Sequence, residues 1–518
     1  MLGRTMSSNN RRLAYALAAL LGLAAISTGL WRLWGGETGL RIANTLVQGI
    51  PVTVFAPDQT QPAPVVVIGH GFAGSRQLMH PFAVTLARNG YVAVVFDFPG
   101  HGRNRNPLRG EIGEPARVES LLDALSKVVA YARTLPHGDG RLALLGHSMA
   151  GDILVRYMKQ DPSVAAGIAV SPYLSEDPGA GGPPNLLFIY GGLEPDMILN
   201  QGRAAVAAVA GLPPAQVQRD LTYGSLADGS ARRLVVADGV EHIGVLYSTS
   251  ALRAALDWLN QVFGRSSSGV VDARGPWLGL FYLGVLLLAW PLSTLLPRVA
   301  DRPLGAGLGW RRLLPIAMLP AILTPVILAP LPNDFLSIVI GDYIALHFGL
   351  YGLLTWLGLW LTGTRPAALR RGISTAAFGM ALLAVAAYEV FALTLPTDRF
   401  VTSFLPGSER LPFVLVLFVG TLLWFSADEW LTRGAATPRA AYALTKVLFL
   451  VSLMLAVVLN LSELFFLVII IPAILALFVV YGLFSGWIYR RTNDPWVAAV
   501  TNALAFAAAV AVSFPIVG

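Results

Sequence analysis

One serine of this sequence lies between small residues, in a local pattern typical of a catalytic nucleophile. It lies in Gly146-His147-Ser148-Met149-Ala150-Gly151, directly after the apolar run 142–145 and directly before 152–159, a segment compatible with a helix. A strand, a sharp turn and a helix in this order lift a serine hydroxyl above the edge of a sheet, and the turn requires small neighbours. The pattern therefore predicts that Ser148 attacks acyl groups.

A histidine that could activate this serine follows the last predicted strand. Serine chemistry of this kind needs a base that accepts the hydroxyl proton and an acid that orients the base. Among the histidines of the globular part, His242 alone follows the strand 233–237 and precedes the final helix, 247–263. This is the position that the base requires, so we expect His242 to be the general base.

Two carboxylates follow the strand 186–190, where the acid is expected. Glu194 lies three residues after Gly191, which ends the strand, and is the first candidate. Asp196 is the alternative, because it belongs to the same loop. The residue pattern therefore predicts a triad of serine, histidine and glutamate, with Asp196 as the alternative acid.

Negative charge that develops on the substrate oxygen needs backbone N–H donors. The N–H of Met149 directly follows the nucleophile, and the N–H of Phe72 lies in the loop after His70-Gly71. These are the two loops that supply such donors in a strand-turn-helix serine site. We therefore expect Phe72 and Met149 to form the oxyanion hole.

Alternating strands and helices must position these groups. Apolar strands and amphipathic helices are predicted at 64–69, 77–88, 91–96, 117–133, 142–147, 152–159, 165–171, 185–190, 200–210, 233–237 and 247–263, after extended residues at 47–55. This alternation indicates a doubly wound, mostly parallel sheet that is covered by helices on both faces. Reactive groups then lie in loops at the carboxyl ends of the strands.

With these elements assigned, residues 42–263 resemble the α/β-hydrolase superfamily, especially its dienelactone hydrolase, serine aminopeptidase and polyester-esterase branches. The resemblance rests on His70-Gly71-Phe72, Asp97-Phe98-Pro99-Gly100-His101-Gly102, the serine motif and His242, in the superfamily's order of nucleophile, acid and base. It implies an α/β-hydrolase domain with a serine triad and no cofactor. The sequence departs from the family pattern at Ala150, where glycine is usual, and at Glu194, where aspartate is commoner.

The composition requires a membrane part beside this domain. Only 13% of the 518 residues are charged and 55% are hydrophobic, whereas soluble domains have about a quarter charged residues. The uncharged run 13–30 follows a basic segment and precedes Trp31 and Trp34. It is long enough to span a bilayer, and we expect an uncleaved anchor rather than a signal peptide.

Eight further spans are predicted after the globular part. They lie near 277–296, 313–331, 336–363, 373–395, 411–427, 441–459, 464–484 and 496–516. The expected organisation is an N-terminal transmembrane anchor at 1–34, an extracytoplasmic α/β-hydrolase domain at 35–263, a linker at 264–275 and an all-α, eight-helix transmembrane domain at 276–518.

Loop charges predict the orientation and exclude a nucleic-acid partner. With the amino terminus in the cytoplasm, the cytoplasmic segments carry fourteen arginines, including Arg4, Arg365, Arg370 and Arg371, and the opposite short loops carry two. This asymmetry predicts a multi-pass protein of the cell (inner) membrane, with the globular domain and the carboxyl terminus outside the cytoplasm, in the periplasm. Residues 32–274, which include the globular part, have 20 basic and 20 acidic residues, so the expected partner is the lipid bilayer. The absence of cysteine excludes disulfides and thiol catalysis.

Three polar residues within the predicted spans form a candidate intramembrane polar site. Asp342, His347 and Glu389 fall inside otherwise apolar runs, where ionisable residues are often functional. One histidine and no cysteine in this part make a metal site unexpected. The alternatives are a headgroup-binding or proton-handling cavity and hydrogen bonding that fixes the helix bundle.

Together these patterns predict a membrane-bound serine hydrolase, similar to esterases and lipases, that cleaves ester bonds of an amphiphilic or lipid substrate through an acyl-enzyme. Acyl transfer to an alcohol would use the same triad and is an alternative. A second alternative is a transporter-like bundle in which the hydrolase domain acts as a binding module. The oligomeric state is open.

Overall fold

The computed structural model describes residues 8–58, 61–110, 113–332, 334–364 and 373–518. The chain forms two compact units. The sheet unit comprises 28–280, 397–404 and 513–518, and the helical unit comprises 1–27, 281–396 and 405–512. Two short segments, one after the predicted span 373–395 and one at the end of the predicted span 496–516, therefore belong to the sheet unit. The predicted domain boundaries themselves stay a prediction.

A nine-stranded sheet forms the centre of the sheet unit. Its strands are β1 (Leu40–Val47), β2 (Ile50–Pro57), β3 (Ala63–Gly69), β4 (Val92–Phe96), β5 (Gly138–His147), β6 (Ala166–Val170), β7 (Leu186–Gly191), β8 (Thr222–Tyr223) and β9 (Arg232–Ala237). Their order is β1-β2-β4-β3-β5-β6-β7-β9-β8. The six strands from β4 to β9 in this order are parallel, while β1, β2 and β8 are antiparallel to their neighbours. The prediction of a mostly parallel α/β sheet is confirmed.

Helices cover both faces of the sheet because its central strands are apolar on both sides. The first six helices of the chain are α1 (Ser8–Gly35), α2 (His80–Arg88), α3 (Pro115–Arg133), α4 (Met149–Gln160), α5 (Asp196–Ala210) and α6 (Thr249–Phe263). One buried apolar cluster contains residues of α3, α4 and α5. The other contains residues of α2 and α6, including the fully buried Trp258. Because six neighbouring strands are parallel, their carboxyl ends lie at the same edge of the sheet.

The helical unit is built from long apolar helices. The remaining helices are α7 (Gly275–Leu292), α8 (Trp310–Leu328), α9 (Gly341–Leu361), α10 (Thr375–Tyr388), α11 (Leu395–Phe400), α12 (Leu411–Leu431), α13 (Ala441–Leu459), α14 (Leu461–Thr492) and α15 (Trp496–Ser513). A π-helical segment, Glu389–Thr394, joins α10 to α11. With α1, the described residues contain nine helices long and apolar enough to cross a membrane, which is compatible with a multi-pass membrane protein.

Glycines bring neighbouring helices of this unit close together. A Cβ atom at Gly352 in α9 would lie 2.4 Å from the carbonyl carbon of Leu423 in α12. A Cβ atom at Gly420 in α12 would lie 2.4 Å from the carbonyl oxygen of Ala345. Only glycine allows such backbone approach, which is the usual basis of tight helix packing in lipid.

The observed helices agree with the predicted spans to within a few residues, except for α14. That helix runs from Leu461 to Thr492. The Asn460 side chain caps its start by accepting a hydrogen bond from the N–H of Glu463, and its last turn contains Arg490 and Arg491. Of the arginines used for the orientation, Arg4, Arg365, Arg370 and Arg371 lie outside the described residues. The orientation remains a prediction.

Candidate active site

The turn between β5 and α4 holds Ser148 in an unusual backbone conformation, with φ 53° and ψ −117°. Close packing around the turn explains its small residues. A Cβ atom at Gly146 would lie 2.5 Å from the carbonyl oxygen of Ala150, and one at Gly151 would lie 2.6 Å from Cβ of Pro172. Such strain is maintained only where the surrounding structure fixes it, and it is commonly found at functional sites.

Ala150, which departs from the family pattern, is accommodated by a glycine on the neighbouring strand. A Cβ atom at Gly69, the last residue of β3, would lie 2.9 Å from the Cβ of Ala150 and 3.0 Å from the ring of Phe98. The methyl group of the alanine therefore occupies space that a side chain on β3 would otherwise need. The alanine keeps the turn intact because its neighbour is glycine.

Three side chains from different strand ends form a continuous hydrogen-bonded chain. Nε2 of His242 lies 3.0 Å from Oγ of Ser148, and Nδ1 lies 2.5 Å from Oε1 of Glu194. The other carboxylate oxygen accepts hydrogen bonds from Oγ of Ser171 at 2.6 Å and from the N–H of Gly191 at 2.7 Å. A carboxylate held in this way accepts a hydrogen bond from the Nδ1–H group and leaves Nε2 free to accept the serine proton.

The two carboxylates considered for the acid position have different environments. Glu194 is buried and contacts the imidazole. Asp196 begins α5 and is exposed. The N–H of Glu194 donates to the carbonyl of Gly191 at 3.2 Å, and this tight turn after β7 directs the longer glutamate side chain back to the sheet edge.

The loop that carries Phe72 passes directly against the serine. A Cβ atom at Gly71 would lie 3.0 Å from Cβ of Ser148 and 2.8 Å from Nδ1 of His147. Met149 is the first residue of α4, so its N–H belongs to the positive end of the helix dipole. The structure thus places the backbone of Gly71, next to Phe72, and the first residue of α4 beside Ser148, and the assignment of the two N–H donors stays a prediction.

Two buried histidines that sequence reasoning treated as ordinary loop residues support this arrangement. The Nε2–H of His147 donates to the carbonyl of His242 at 2.9 Å, and burial lowers the pKa of His147 to about 3. The Nδ1–H of His70 donates to the carbonyl of Gly71 at 2.7 Å, while its Nε2 accepts from the N–H of Phe98 at 3.1 Å; burial also lowers the pKa of His70. Their positions beside the nucleophile and the oxyanion loop were the available sequence signal.

The comparisons with known proteins concern the fold and the family. Residues 60–202 match the model of a hydrolase family described as serine aminopeptidase, S33. The sheet unit has the mostly parallel sheet of an α/β-hydrolase-like fold. Together the family match and the sheet topology confirm the resemblance that the motifs indicated.

Individual relatives are distant. Two proteins of Escherichia coli, each described as an uncharacterized 31.7 kDa protein in the traX-finO intergenic region, are 27% identical over 123 residues, which is 23% of this chain and 41% of theirs. The chain thus spans less than half the length of these curated relatives. A CIB-like hydrolase from Thermoplasma acidophilum is 16% identical with a TM-score of 0.34, covering 43% of this chain and 98% of that protein. A protein described as a dienelactone hydrolase from Klebsiella pneumoniae is 17% identical with a TM-score of 0.31, covering 44% of this chain and 99% of that protein.

Exposed apolar side chains follow β6, β7 and β9, and the last two strands precede Glu194 and His242. We call these four residues the apolar rim: Tyr173, Leu193, Met197 and Ile243, with exposed fractions of 59%, 67%, 70% and 39%. Leu193 precedes Glu194 and Ile243 follows His242 in the chain. The N–H of Leu193 donates to the carbonyl of Val240 at 3.0 Å, which joins the loops after β7 and β9. The apolar rim therefore borders the candidate site.

The three intramembrane residues have separate environments in the helical unit. Asp342 accepts a hydrogen bond from the N–H of Leu336 at 2.9 Å. His347 contacts Oγ of Ser452 at 3.1 Å through Nε2, and Glu389 lies buried in the π-helical segment. No group of three or more histidine, cysteine, aspartate or glutamate side chains in the described parts of the chain is arranged to hold a metal ion.

Proposed function

We propose that this protein is a membrane-bound serine hydrolase that cleaves esters of amphiphilic or lipid substrates through an acyl-enzyme. The observation that supports it best is the hydrogen-bonded chain from Ser148 through His242 to Glu194. Histidine with an oriented tautomer and a serine within hydrogen-bond distance is the arrangement that activates a hydroxyl for acyl attack.

In the first half of the reaction, Oγ of Ser148 attacks the ester carbonyl carbon and its proton passes to Nε2 of His242. The carbonyl oxygen becomes an oxyanion that accepts hydrogen bonds from the N–H groups of Phe72 and Met149. The bond between the carbonyl carbon and the alcohol oxygen then breaks, and the alcohol leaves with the proton from His242. Glu194 stabilises the transient imidazolium.

In the second half, water attacks the acyl-enzyme and gives its proton to His242. The second oxyanion uses the same two N–H donors. When it collapses, the fatty or other carboxylic acid leaves and His242 returns the proton to Oγ of Ser148. Each cycle consumes one ester and one water, forms one alcohol and one carboxylic acid, and regenerates the free serine and the neutral histidine.

The apolar rim supports the choice of an amphiphilic substrate. Leu193 and Met197 are each about two-thirds exposed or more, although a soluble protein gains by burying such side chains. Exposed apolar side chains beside a site commonly bind an apolar ligand or partner. An acyl chain bound in the active site would cover the apolar rim and be held close to Ser148.

A fluorophosphonate probe and short acyl esters test the proposal on the full-length protein in detergent. The wild-type protein should be labelled and should hydrolyse the esters, whereas Ser148→Ala should lose labelling and at least about 10³-fold in turnover. Ser163→Ala is the matched control, because Ser163 lies exposed after α4 and contacts Asp161. Equal labelling and activity of the Ser148→Ala variant and the wild type would refute the proposal.

A further inference from the structure

Two segments of the sheet unit come from parts of the chain far beyond the α/β-hydrolase strands. Residues 397–404 lie at the junction between the span Thr375–Phe400 and α12, and residues 513–518 follow α15. The first, which we call the clasp, contacts the loop that carries Phe72. The second pairs with the loop after β4. Neither segment is needed to complete the sheet.

The clasp binds the end of the oxyanion loop through Ser75. Oγ of Ser75 accepts a hydrogen bond from the N–H of Ser403 at 2.8 Å and shares another with Oγ1 of Thr402 at 3.0 Å. Ser75 is only 1% exposed. A buried hydroxyl of this kind depends on its partners, since a buried polar group without a hydrogen bond is destabilising.

The loop held by Ser75 is strained. Ala73 has φ 56°, a left-handed conformation that is unfavourable for alanine. The N–H of Gly74 donates to the carbonyl of Gly71 at 3.1 Å, which closes a tight turn around Phe72. Because the loop does not favour this conformation by itself, its anchors determine where the N–H of Phe72 points.

Asp398 connects the clasp to a second loop. Its Oδ2 accepts from Nη2 of Arg103 at 2.5 Å, and its carbonyl accepts from Nε2 of Gln77 at 3.3 Å. Arg103 and Arg76 both donate backbone N–H bonds to the carboxylate of Asp97. Asp398 of the clasp thus contacts both segments that meet at Asp97, the one that contains Arg76 and Gln77 and the one that contains Arg103.

Residues 513–518 hold the loop after β4 from its other side. The N–H of Leu108 donates to the carbonyl of Ile516 at 2.9 Å, and the N–H of Ile516 donates to the carbonyl of Gly100 at 3.0 Å. A Cβ atom at Gly100 would lie 2.2 Å from that carbonyl oxygen of Ile516. The side chain of His101, the next residue, contacts the ring of Phe72 with ring centroids 5.8 Å apart.

We propose that the clasp is a positioning element for the oxyanion hole, with Thr402 and Asp398 as its positioning residues. This inference rests on the proposed hydrolase function and adds that turnover depends on a segment between two membrane-spanning helices. The clasp acts on the transition state, because the N–H of Phe72 is needed when the oxyanion forms. Weakening the clasp therefore lowers kcat and leaves KM nearly unchanged.

The size of the effect follows from the distance between the clasp and the reacting atoms. Loss of an oxyanion donor lowers kcat by about 10²–10³-fold. A variant that loosens the loop without removing the donor should cause a smaller loss, roughly 5–30-fold. The triad is untouched, so the pH profile of kcat should keep its shape.

The first experiment compares two substitutions at one position in the full-length protein. Thr402→Val removes the hydroxyl, and Thr402→Ser retains it. With a short acyl ester, kcat of the Val variant should fall roughly 5–30-fold with KM within about twofold of wild type, and the Ser variant should stay within about twofold in both. If the Val variant keeps wild-type kcat, or if KM alone changes, the positioning role is refuted.

A second variant tests the clasp at a residue other than Thr402. Asp398→Asn weakens the ion pair with Arg103, and Asp161→Asn is the matched control because Asp161 pairs with Arg133 through a similar contact of 2.8 Å. Asp398→Asn should lower kcat several-fold, while the control should not. Equal kcat values in the two variants would contradict the inference.

Hydrogen exchange separates failure of this inference from failure of the proposed function. In Thr402→Val, amide exchange in peptides covering 70–76 should be at least several-fold faster than in wild type and Thr402→Ser, whether or not an ester is hydrolysed. Unchanged exchange would overturn the clasp even for an active enzyme. A wild-type protein without fluorophosphonate labelling would refute the hydrolase and, with it, the clasp as an element of catalysis.

Discussion

At the scale of single residues, the choice between two carboxylates is the most direct test of the candidate triad. Glu194 contacts Nδ1 of His242, whereas Asp196 is exposed at the start of α5. Glu194→Gln keeps the shape but replaces a carboxylate that accepts a hydrogen bond from Nδ1–H with a neutral amide. Turnover should fall about 10²–10⁴-fold, because the imidazolium loses its counter-charge and the tautomer is no longer fixed.

Asp196→Asn is the matched control for this variant, since it removes one negative charge two residues away. Its kcat should stay within about twofold of wild type, measured with the same short ester at saturating concentration. The reverse result, with a large loss in Asp196→Asn and none in Glu194→Gln, would assign the acid to the aspartate.

The buried His147 predicts a pH dependence of stability. Burial lowers its pKa from 6.5 to about 3, so between these values the unfolded chain binds a proton that the folded chain does not. The free energy of unfolding should therefore decrease as the pH falls below 6.5, by up to about 1.4 kcal/mol per pH unit. Above 6.5 this contribution is fully present.

The variant His147→Gln tests this dependence while retaining an N–H donor for the carbonyl of His242. Thermal unfolding of the full-length protein at pH 7 and pH 4.5 should show a larger decrease in Tm for wild type than for the variant. Parallel decreases in the two proteins would show that another group controls acid stability.

At the scale of elements, local patterns predicted most of the sheet and the site, and tertiary pairing explains what they missed. The turn at Ser148 was predictable because strand, small residues and helix are contiguous. Residues 47–55 were read as one extended run, but they contain the end of β1, a turn and most of β2. β1 is exposed along most of its length, and β8 has only two residues. Both form strands only by pairing with neighbouring strands, so their sequences alone carry a weak signal.

The apolar rim predicts how kcat/KM depends on the length of the substrate's acyl chain. Leu193→Ser and Met197→Ser should lower kcat/KM for esters with acyl chains of about 12–16 carbons by roughly 5–20-fold, because each substitution removes apolar surface that the chain would cover. Esters with acyl chains of about 2–4 carbons are too short to reach both residues and should be cleaved at wild-type rates.

A leucine elsewhere on the sheet unit provides the matched control for the apolar rim. Leu46 is 70% exposed on the edge strand β1, and Leu46→Ser should leave both classes of ester unaffected. Steady-state kinetics with a series of acyl esters gives the comparison. If the rim variants and the control lose activity equally at every chain length, the apolar rim does not bind the acyl chain.

At the scale of the whole molecule, sequence patterns predicted spans and a hydrolase domain but not which segments share a compact unit. Residues 397–404 follow the predicted span 373–395, and residues 513–516 end the predicted span 496–516, yet both segments belong to the sheet unit. Their hydrogen bonds join residues more than 300 positions apart, such as Ser75 and Ser403. No periodicity or local motif encodes a contact of that separation, so only the three-dimensional arrangement reveals it.

The orientation predicted from loop arginines can be tested because the chain has no native cysteine. Ser225 is exposed in the sheet unit, and Ala436 is exposed between α12 and α13. A membrane-impermeant maleimide should label Ser225→Cys in intact spheroplasts, and it should label Ala436→Cys only after permeabilisation, because arginine-rich loops are retained in the cytoplasm. Labelling of Ala436→Cys but not Ser225→Cys before permeabilisation would invert the topology, and the ester substrates of the proposed hydrolase would then have to come from the cytoplasmic side.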